Sequence, residues 1–588
     1  MGKRLVDKRN RFGIRKLSVG VCSVVVATCF LGVTTSYAEE QAERSETREE
    51  RVETRNAGEQ GKEEKTVNEH QEESEHASTA TSEKENHTVS QGTEATQPAT
   101  SLDEEPEIAD YGPLPSKAQM QYHREELAAF IHFGMNTYYD REWGDGQEDP
   151  YYFYPEHLDT DQWIKTLKDA GFKRTIMVVK HHDGFLLYPS KYTDHTIAKS
   201  GWKEGKGDVL AEVSASASKY DMDMGVYLSP WYAHSPLYHV DTEDQYNEYY
   251  LNQLKEILED PKYGNKGKFV EVWMDGARGD GAQKVTYTFD KWFEAIRKAQ
   301  GDIAIFSAEP TNVRWIGNEK GIAGDPVWQK VNPDKIRNNP SNSYLNHGDP
   351  EGKQYSVGEA DVSIRSGWFY HDNQEPKSLR ELMDIYFKSV GRGTPLLLNI
   401  PPNQDGKFAD ADVARLKEFR QTLDQLYSVN YAAGALVEAD STRRNPLYKA
   451  SHLTDGDEKT SWAPSDDAKT GSFVLDLGKE QHFDVVELKE TIEKGQRISG
   501  FTIDVAVNGQ WIPYGAGSTV GYRRLIKGQP VDSRYIRVSI TDAQATPILN
   551  GVSVYKTPAS IEETDGYPLG LTYHSDRTAD RANGQWNE

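Results

Sequence analysis

Acidic, histidine and tyrosine side chains stand at the ends of several apolar, strand-like segments of this chain. Asp275 follows an apolar, β-branched run and precedes a glycine. His132 lies within an earlier run, His181 and His182 directly follow a second one, and Tyr227 belongs to a third. Carboxylates and imidazoles can serve as nucleophile, acid or base, and His and Tyr can bind hydroxyl groups. We therefore expect a site where the carboxyl ends of parallel strands meet.

The histidines also raise the alternative of a metal site, because neutral imidazoles and a carboxylate are suitable zinc ligands. His181 and His182 are adjacent in sequence, however, and adjacent side chains on an extended strand point to opposite faces. Hydrogen bonding to hydroxyl groups is the favoured interpretation, and we predict no metal and no cofactor. The sequence also lacks a Gly-x-Ser-x-Gly elbow on a strand-to-helix turn and a Gly-rich phosphate motif.

The segments that carry these residues alternate with helix-type patterns from residue 111 to about 430. The predicted strands are 128–136, 173–180, 224–229, 268–274, 303–307 and 395–400. The predicted helices are 119–126, 159–171, 208–219, 243–258, 289–299, 378–389 and 410–426. This alternation is typical of parallel βαβ units, so we predict an α/β fold, a (β/α)₈-like barrel over residues 111–431. The stretch 310–377 is rich in loop-forming residues, and its strands cannot be assigned.

The pattern changes after residue 432. Short alternating runs separated by turn residues occur at 471–477, 484–488, 501–507, 535–540 and 551–555. Such spacing is typical of an all-β sandwich, which we predict over residues 432–558. The remaining residues, 559–588, are polar and aperiodic and are predicted to be a tail or linker.

The N-terminus has a basic lead, an apolar stretch and a Ser-Tyr-Ala ending at Ala38. This layout predicts a secretory signal peptide over residues 1–38, with an uncleaved membrane anchor as the alternative. Both cysteines, Cys22 and Cys29, lie inside it, so the mature chain would be cysteine-free and without a membrane span. Residues 39–110 are rich in Glu, Ser and Thr and poor in large apolar residues, which predicts a disordered acidic stalk.

The formal net charge of −25 argues against nucleic acid as a partner, because phosphate binding needs clustered Lys and Arg. Aromatic residues make up 11% of the chain and are concentrated after residue 120. Flat apolar sugar faces pack on aromatic rings, although ordinary cores use the same residues. The composition therefore favours a carbohydrate partner without requiring one.

Five linked motifs resemble the α-L-fucosidases of glycoside hydrolase family 29. In chain order they begin at His132 (His-Phe-Gly), Glu142 (Glu-Trp), Lys180 (Lys-His-His-Asp-Gly-Phe), Tyr227 (Tyr-Leu-Ser-Pro-Trp) and Trp273 (Trp-Met-Asp-Gly). The resemblance implies a retaining exo-glycosidase with Asp275 as nucleophile. It also implies a set of fucose-binding residues: His132, Glu142, Trp143, His181, His182, Tyr227 and Trp368.

The same chemistry needs a second carboxyl group as acid and base. The segment from Trp315 to Gly321 resembles the acid/base segment of the α-1,3/1,4-specific subfamily, which assigns the role to Glu319. Glu309, directly after the fifth predicted strand, is the reserve candidate. Ser366 departs from the proline expected in that subfamily, without touching a catalytic position.

Two further segments resemble known modules. Phe12-Gly-Ile-Arg-Lys16, followed by Gly20 and Ser23, resembles the YSIRK-type signal of Gram-positive surface proteins. Residues 453–462 and 473–478 resemble discoidin-type, galactose-binding-like sandwiches. That family would place calcium ligands at Asp457 and Thr460, but Gly551 replaces the usual glutamate, so calcium is not predicted. Sugar binding and packing against the barrel remain alternatives for this module.

Together these features predict a secreted or cell-surface α-L-fucosidase of a Gram-positive bacterium. Its expected substrates are fucosylated oligosaccharides or glycoproteins, with α-1,3/1,4-linked fucose of Lewis-type host glycans preferred. The alternatives are α-1,2-active or broad fucosidase activity, or a non-catalytic surface lectin or adhesin. The presence of two candidate carboxyl groups counts against the lectin.

Overall fold

A computed structural model describes residues 104–232, 234–278 and 285–562. The predicted signal peptide, the predicted stalk up to residue 103 and the tail beyond residue 562 lie outside the described residues. The described part of the chain forms a barrel followed by an antiparallel β-domain. Within these ranges, no helix combines the length and the apolar character needed to cross a membrane.

Eight parallel strands close into the barrel, as predicted. They follow one another around it in chain order, and the last strand pairs with the first. The barrel strands are β1 (Leu127–Ile131), β2 (Arg174–Lys180), β3 (Asp223–Leu228), β4 (Glu271–Trp273), β5 (Ala304–Phe306), β6 (Val313–Trp315), β9 (Val357–Ser363) and β10 (Leu396–Asn399). Two short strands, β7 (Lys330–Val331) and β8 (Gln354–Tyr355), form a separate antiparallel pair.

Helices flank the strands on the outside of the barrel. They are α1 (Lys117–Glu125), α2 (Met135–Tyr139), α3 (Thr160–Asp169), α4 (Val209–Tyr220), α5 (Glu243–Leu258), α6 (Phe289–Gln300), α7 (Pro333–Arg337), α8 (Asn342–His347), α9 (Leu379–Lys388) and α10 (Asp410–Leu426). Several start at side-chain caps that the sequence makes visible. Asp159 and Asp208 accept from the first-turn amides of α3 and α4, and Ser378 forms a capping box with Glu381.

Side chains alternate along the strands between two apolar layers. In β1, Leu127, Ala129 and Ile131 pack in the layer between strands and helices, whereas Ala128 and Phe130 lie in the barrel interior. Tyr227 and Trp273 belong to the interior layer as well. Asp275 is two positions after Trp273, so its side chain points to the same side, the barrel interior. Alternation along the strand thus directs the predicted nucleophile towards the barrel axis.

The region between β5 and β10 departs from regular βα units. Residues 307–312 join β5 to β6 without a helix, and α7, α8 and the β7–β8 pair fill the connection from β6 to β9. The sequence patterns missed β6 and β9. β6 has three residues, and β9 buries Glu359 and Asp361 inside the barrel, so neither shows the apolar run of a buried strand.

The C-terminal domain is an antiparallel sheet of six strands, in agreement with the predicted all-β class. The strands are β11 (Leu436–Ala439), β12 (Gly471–Glu490), β13 (Ile498–Val507), β14 (Gln510–Gly517), β15 (Arg524–Ala543) and β16 (Leu549–Tyr555), and α11 (Ala559–Glu562) follows. β12 and β15 pair along most of their length, with register shifts near Asp476 and Phe483. Both halves of β12 contribute to one apolar core, so the bent strands enclose it as a sandwich.

The first described residues, 104–110, depart from the predicted disordered stalk. Ile108 is buried with Tyr448, Ala463 and Ile548 of the C-terminal domain. The Arg443 side chain donates to the carbonyl of Pro106 at 2.8 Å. The polar composition of the stalk did not reveal this contact, because Ile108 is the only large apolar residue in 104–110.

The barrel and the C-terminal domain share buried polar contacts. Arg523, whose side chain is largely buried, pairs with Glu126 of the barrel at 2.8 Å and with Glu487 of the sandwich at 2.6 Å. Gln496 of the sandwich accepts from the amide of Gln329 at 2.8 Å. A buried charge is costly unless it is paired. Because the partners of Arg523 lie in both domains, these contacts hold the two domains in one relative orientation.

Candidate active site

A small pocket of about 80 Å³ lies at the carboxyl ends of the barrel strands. It brings together eight of the nine predicted site residues from segments far apart in sequence. Its walls are formed by Phe130, His132, Trp143, His181, His182, Tyr227, Trp273, Asp275, Ala277, Glu319, Asp361 and Trp368. The exception is Glu142, which is not among these residues.

Asp275 is held by a donor on each carboxylate oxygen. Tyr227 Oη donates to Oδ2 at 2.9 Å, and the amide of Ala277 donates to Oδ1 at 2.7 Å. Burial, and then the charge of Asp275, raises the pKa of Tyr227 far above its usual value, so the phenol keeps its proton as a donor. The side chain of Asp275 is 23% exposed, which leaves the carboxylate accessible from the pocket.

His132 and His181 have opposite hydrogen-bonding capacities in the pocket. His132 Nδ1 lies 2.8 Å from Oδ1 of Asn399, whose Nδ2 donates to Ser363 and to the carbonyl of Trp368. Nδ1 of His132 therefore carries the proton, and Nε2 is an acceptor. Burial lowers its pKa to about 3, which keeps the ring neutral.

His181 shows the reverse tautomer. Its Nδ1 accepts from Nδ2 of Asn136 at 3.3 Å, because the same Nδ2 also donates to the carbonyl of Glu142. Nε2 of His181 is then the donor. Burial lowers the pKa of His181 well below its usual range. One histidine that accepts beside one that donates suits a ligand with several hydroxyl groups.

His182 completes the contacts around Asp275. Its Nε2 lies 3.7 Å from Oδ2 of Asp275, and its Nδ1 lies 2.8 Å from the hydroxyl of Ser229. Burial lowers the pKa of His182, and the nearby Asp275 opposes this shift. The ring packs against Trp143 and Trp231, with centroid distances of 5.2 and 4.9 Å. Trp143 is 52% exposed and offers an aromatic face at the rim of the pocket.

Glu319 reaches the pocket on the turn that follows β6. Gly317 and Gly321 bracket this turn with positive φ values of 77° and 69°. A Cβ atom at Gly317 would lie 2.4 Å from the carbonyl oxygen of Asn342. Trp368 Nε1 donates to Oε2 of Glu319 at 3.3 Å. Burial raises the pKa of Glu319, the hydrogen bond from Trp368 opposes this shift, and the charge of Asp275 adds to it; the net rise favours the protonated acid.

Glu142 lies behind Trp368. Its Oε2 accepts from the amide of Trp368 at 2.8 Å, and its Oε1 lies 2.6 Å from Nε2 of His371. The structure therefore places the carboxylate of Glu142 as a support for the Trp368 loop. Asn136, Asn399 and His371 support the site as well, and no sequence pattern identified them.

A larger cavity of about 430 Å³ adjoins the small pocket and shares Trp273, Asp275, Ala277, Glu319 and Asp361 with it. It occupies the region where the chain has no helix after β5, and α7 and α8 form its outer wall. The reserve candidate Glu309 lines this cavity and lies 3.6 Å from Arg337.

Asp361 is a third acidic residue at the boundary of the two cavities, and the sequence patterns did not identify it. It is buried and accepts from Trp315 Nε1 at 2.9 Å. Burial, and then the charge of Glu319, raises the pKa of Asp361 well above its usual value. The segment from Glu359 to Arg365 also resembles the α-1,3/1,4-specific subfamily, but its alternating polar residues did not identify it as a buried strand.

Within the described residues, no group of three or more His, Cys, Asp and Glu side chains has the arrangement of a metal site. In the C-terminal domain, Asp457 and Thr460 lie in one exposed turn. Thr460 Oγ1 donates to Asp455 at 2.8 Å and to the carbonyl of Asp457 at 3.0 Å. The hydroxyl therefore serves the turn itself.

A closed parallel barrel that brings Asp275 and Glu319 to one pocket, beside aromatic and histidine side chains, is the arrangement of a glycoside hydrolase. The family model for alpha-L-fucosidase matches residues 112–425. The chain belongs to the α-L-fucosidase family, and the predicted resemblance to glycoside hydrolase family 29 is confirmed.

Known relatives align with about three quarters of the chain. The putative alpha-L-fucosidase 1 of Oryza sativa subsp. japonica is 39% identical over 76% of this chain and 86% of that protein. The crystal structure of SpGH29 is 58% identical, covers 77% of this chain and 100% of that chain, and has a TM-score of 0.76. A Ruminococcus gnavus GH29 fucosidase in complex with fucose is 40% identical over 79% of this chain and 99% of that chain, with a TM-score of 0.74.

Two further family models match outside the barrel. The F5/8 type C domain model matches residues 437–552, which confirms the predicted discoidin-like module. The YSIRK type signal peptide model matches residues 7–32 and confirms the predicted export signal. The protein is thus an exported glycoside hydrolase whose family acts on fucosylated glycans.

Proposed function

We propose that this α-L-fucosidase releases α-1,3/1,4-linked fucose from Lewis-type host glycans by double displacement. Asp275 is the nucleophile and Glu319 the acid and base. The observation that carries this assignment is that both carboxyl groups line the small pocket and also the larger cavity. A glycosidic bond spanning the two spaces would pass between them.

In the first step, Asp275 attacks the anomeric carbon and the bond to the leaving oxygen breaks. Glu319 gives its proton to that oxygen, which departs as a hydroxyl group. In the second step, Glu319 takes a proton from water, the water oxygen attacks the anomeric carbon, and Asp275 is released as a carboxylate. The raised pKa of Glu319 and the fixed carboxylate of Asp275 suit these roles.

The fucose residue would occupy the small pocket. Nε2 of His132 would accept from one sugar hydroxyl and Nε2 of His181 would donate to another, as their tautomers require. His182 and Tyr227 would bind next to Asp275, and Trp143 and Trp368 would pack on the sugar. Glu142 would act by holding the Trp368 loop. The R. gnavus relative, solved in complex with fucose, supports such a pocket.

The larger cavity supports the preference for branched glycans. The leaving part of a Lewis structure is an N-acetylglucosamine that also carries galactose, and it needs more space than a linear chain end. The cavity of about 430 Å³ begins at Asp275 and Glu319 and reaches solvent at Ala308, Asn339 and Asn342. We propose that it receives the leaving oligosaccharide.

Outside the barrel, we propose that residues 1–38 are removed on export and that residues 39 to about 103 are a spacer at the surface of a Gram-positive bacterium. The barrel occupies residues 111–431 and the sandwich 432–558, and the predicted tail from residue 559 begins with α11, whose Ile561 is buried. The buried Arg523 contacts support a scaffold role for the sandwich. A glycan array on the full chain and on a variant with exposed sandwich residues such as Trp511 changed to Ala would reveal a second binding role.

The experiment that tests the linkage is release of fucose from a Lewis trisaccharide, an H-type disaccharide and 4-nitrophenyl fucoside, with Asp275→Asn as the blank. Fast release from the Lewis trisaccharide and slow release from the disaccharide is the expected result. Comparable release from both oligosaccharides would indicate broad specificity instead. Faster release from the disaccharide would indicate α-1,2 activity. Binding of all three without turnover would indicate a lectin.

A further inference from the structure

His371 has a carboxylate at each of its two ring nitrogens. Nε2 lies 2.6 Å from Oε1 of Glu142, and Nδ1 contacts Oδ1 of Asp140. Its side chain is 12% exposed. A neutral imidazole has one N–H donor, and a carboxylate can only accept, so two such contacts require a proton on each nitrogen. The geometry therefore holds His371 as an imidazolium between two carboxylates.

Further hydrogen bonds of Glu142 connect His371 to the catalytic centre. Its Oε2 accepts from the amide of Trp368 at 2.8 Å, and its Oε1 accepts from the amide of Phe369 at 3.4 Å. A Cβ atom at Gly367 would lie 2.2 Å from Oε1 of Glu142, so only glycine lets the loop approach so closely. The indole Nε1 of Trp368 then donates to Oε2 of Glu319 at 3.3 Å.

We propose that His371 is a positioning residue for the acid/base carboxyl group: it fixes Glu142, Glu142 fixes the main chain of Trp368, and Trp368 orients Glu319. The proposal rests on the proposed function of Glu319. No role was assigned to His371 by the sequence, and its side chain does not line either cavity described above. The hydrogen bond from the amide of Trp368 to Glu142 gives His371 a route to the reaction.

The protonation of His371 makes the link sensitive to pH. The titratable groups that face it in the described part of the chain are Asp140 and Glu142. Burial by itself would lower the pKa of His371, but the hydrogen bonds to the two carboxylates outweigh it and raise the pKa. As the pH rises through that pKa, the ring loses one proton and one carboxylate loses its donor. The Trp368 loop is then held less firmly.

The test compares two substrates of the purified full chain. One is a Lewis trisaccharide, whose leaving oxygen needs protonation, and the other is an aryl fucoside with a leaving group that needs none. For His371→Gln we expect kcat/KM to fall about tenfold on the trisaccharide and less than about threefold on the aryl fucoside. His157→Gln is the matched control, since His157 is exposed and lines neither cavity.

A double-mutant cycle tests the route through Trp368. Trp368→Phe keeps an aromatic ring and removes the N–H that binds Glu319. If the route is correct, His371→Gln lowers the trisaccharide kcat/KM much less in the Trp368→Phe background than in the wild type, because the shared step is already lost. Equal losses in both backgrounds, or an equal loss on both substrates, would overturn the proposal and leave His371 a purely structural role.

Asp140→Asn provides an independent variant, because Asp140 is 75% exposed and its replacement leaves the packed loop intact. Removing this negative neighbour lowers the pKa of His371. We expect the ratio of trisaccharide to aryl fucoside kcat/KM to decline at a lower pH than in the wild type. An unchanged ratio at every pH would contradict the proposal. Absence of fucose release by the wild type would instead refute the proposed function.

Discussion

Tyr227 donates a hydrogen bond to Asp275 across 2.9 Å, so the end of β3 orients the carboxylate that follows β4. The pair is supported by stacking, because the ring of Tyr227 packs on Trp273 with a centroid distance of 5.0 Å. Tyr227 of β3 is paired with Trp273 of β4 in the sheet register. This pairing places the Tyr227 hydroxyl beside Asp275, two residues further along.

Replacing Asp275 by Asn removes the nucleophile while keeping the shape of the side chain. We expect kcat to fall by at least about 10³-fold with fucose binding retained, because the amide cannot attack the anomeric carbon. Steady-state kinetics and calorimetric titration with fucose measure the two effects. Asp302→Asn, at an exposed site before β5, is the control. Turnover near that of the wild type would exclude Asp275 as nucleophile.

Glu319→Gln removes the acid and base. We expect turnover of a Lewis trisaccharide to fall by about 10²-fold to 10⁴-fold, the usual contribution of general acid–base catalysis. Added azide should partly restore turnover of an aryl fucoside, since azide attacks the covalent intermediate without needing a base. Glu309→Gln is the comparison, because Glu309 is the reserve candidate in the adjoining cavity. If azide restores turnover of Glu309→Gln but not of Glu319→Gln, then Glu309 is the acid and base and Glu319 is not.

Tyr227→Phe removes the hydrogen bond to Asp275 and keeps the ring that packs on Trp273. A hydrogen bond to a charged group contributes about 1.5–3 kcal/mol, so we expect kcat/KM to fall by about 10-fold to 150-fold. Tyr192→Phe, at an exposed tyrosine, is the matched control. A change of less than about twofold in the Tyr227 variant would show that the phenol does not assist Asp275.

The buried His123 predicts a loss of stability in acid. Burial lowers its pKa to about 3 in the folded protein, against about 6.5 in an unfolded chain. Below pH 6.5 the unfolded state therefore binds the extra proton, and the free energy of unfolding falls by up to about 1.4 kcal/mol per pH unit. This contribution is complete above pH 6.5 and is lost as the pH falls towards 3.

Urea unfolding of the wild type and His123→Gln at pH 7.5 and pH 5 isolates this contribution. His123 Nε2 lies 2.9 Å from the hydroxyl of Tyr355, away from the catalytic pocket, and Gln keeps a polar group at that contact. The variant should lose less stability than the wild type between the two pH values. Equal losses would show that His123 becomes protonated within the folded protein.

Local patterns in the sequence were sufficient for most of the barrel. Helices α5 and α10 begin and end where predicted, and six of the eight strands were located, because each has an apolar run of its own bounded by turn residues. The positions of Asp275, His181 and Tyr227 followed directly, since each stands at the end of such a run. The carboxyl ends of all the strands in a parallel barrel lie at the same face, where the active site is formed.

Other features depended on the tertiary structure. β6 and β9 could not be read from the sequence because β6 is short and β9 carries acidic side chains into the barrel, where Trp273 and Trp315 satisfy them. Likewise, the contacts that join Glu142 to Trp368 and His371 link residues more than two hundred positions apart.

The sequence by itself determined the class of fold, the family and the position of Asp275, because these depend on periodicity and on motifs of neighbouring residues. The tertiary structure alone decided that Glu319 shares a pocket with Asp275, that Glu142 supports the Trp368 loop, and that His371 bridges two carboxylates. The physical reason is that hydrogen bonds and desolvation act between side chains close in space. The folding of the loops between β6 and β10 fixes that proximity.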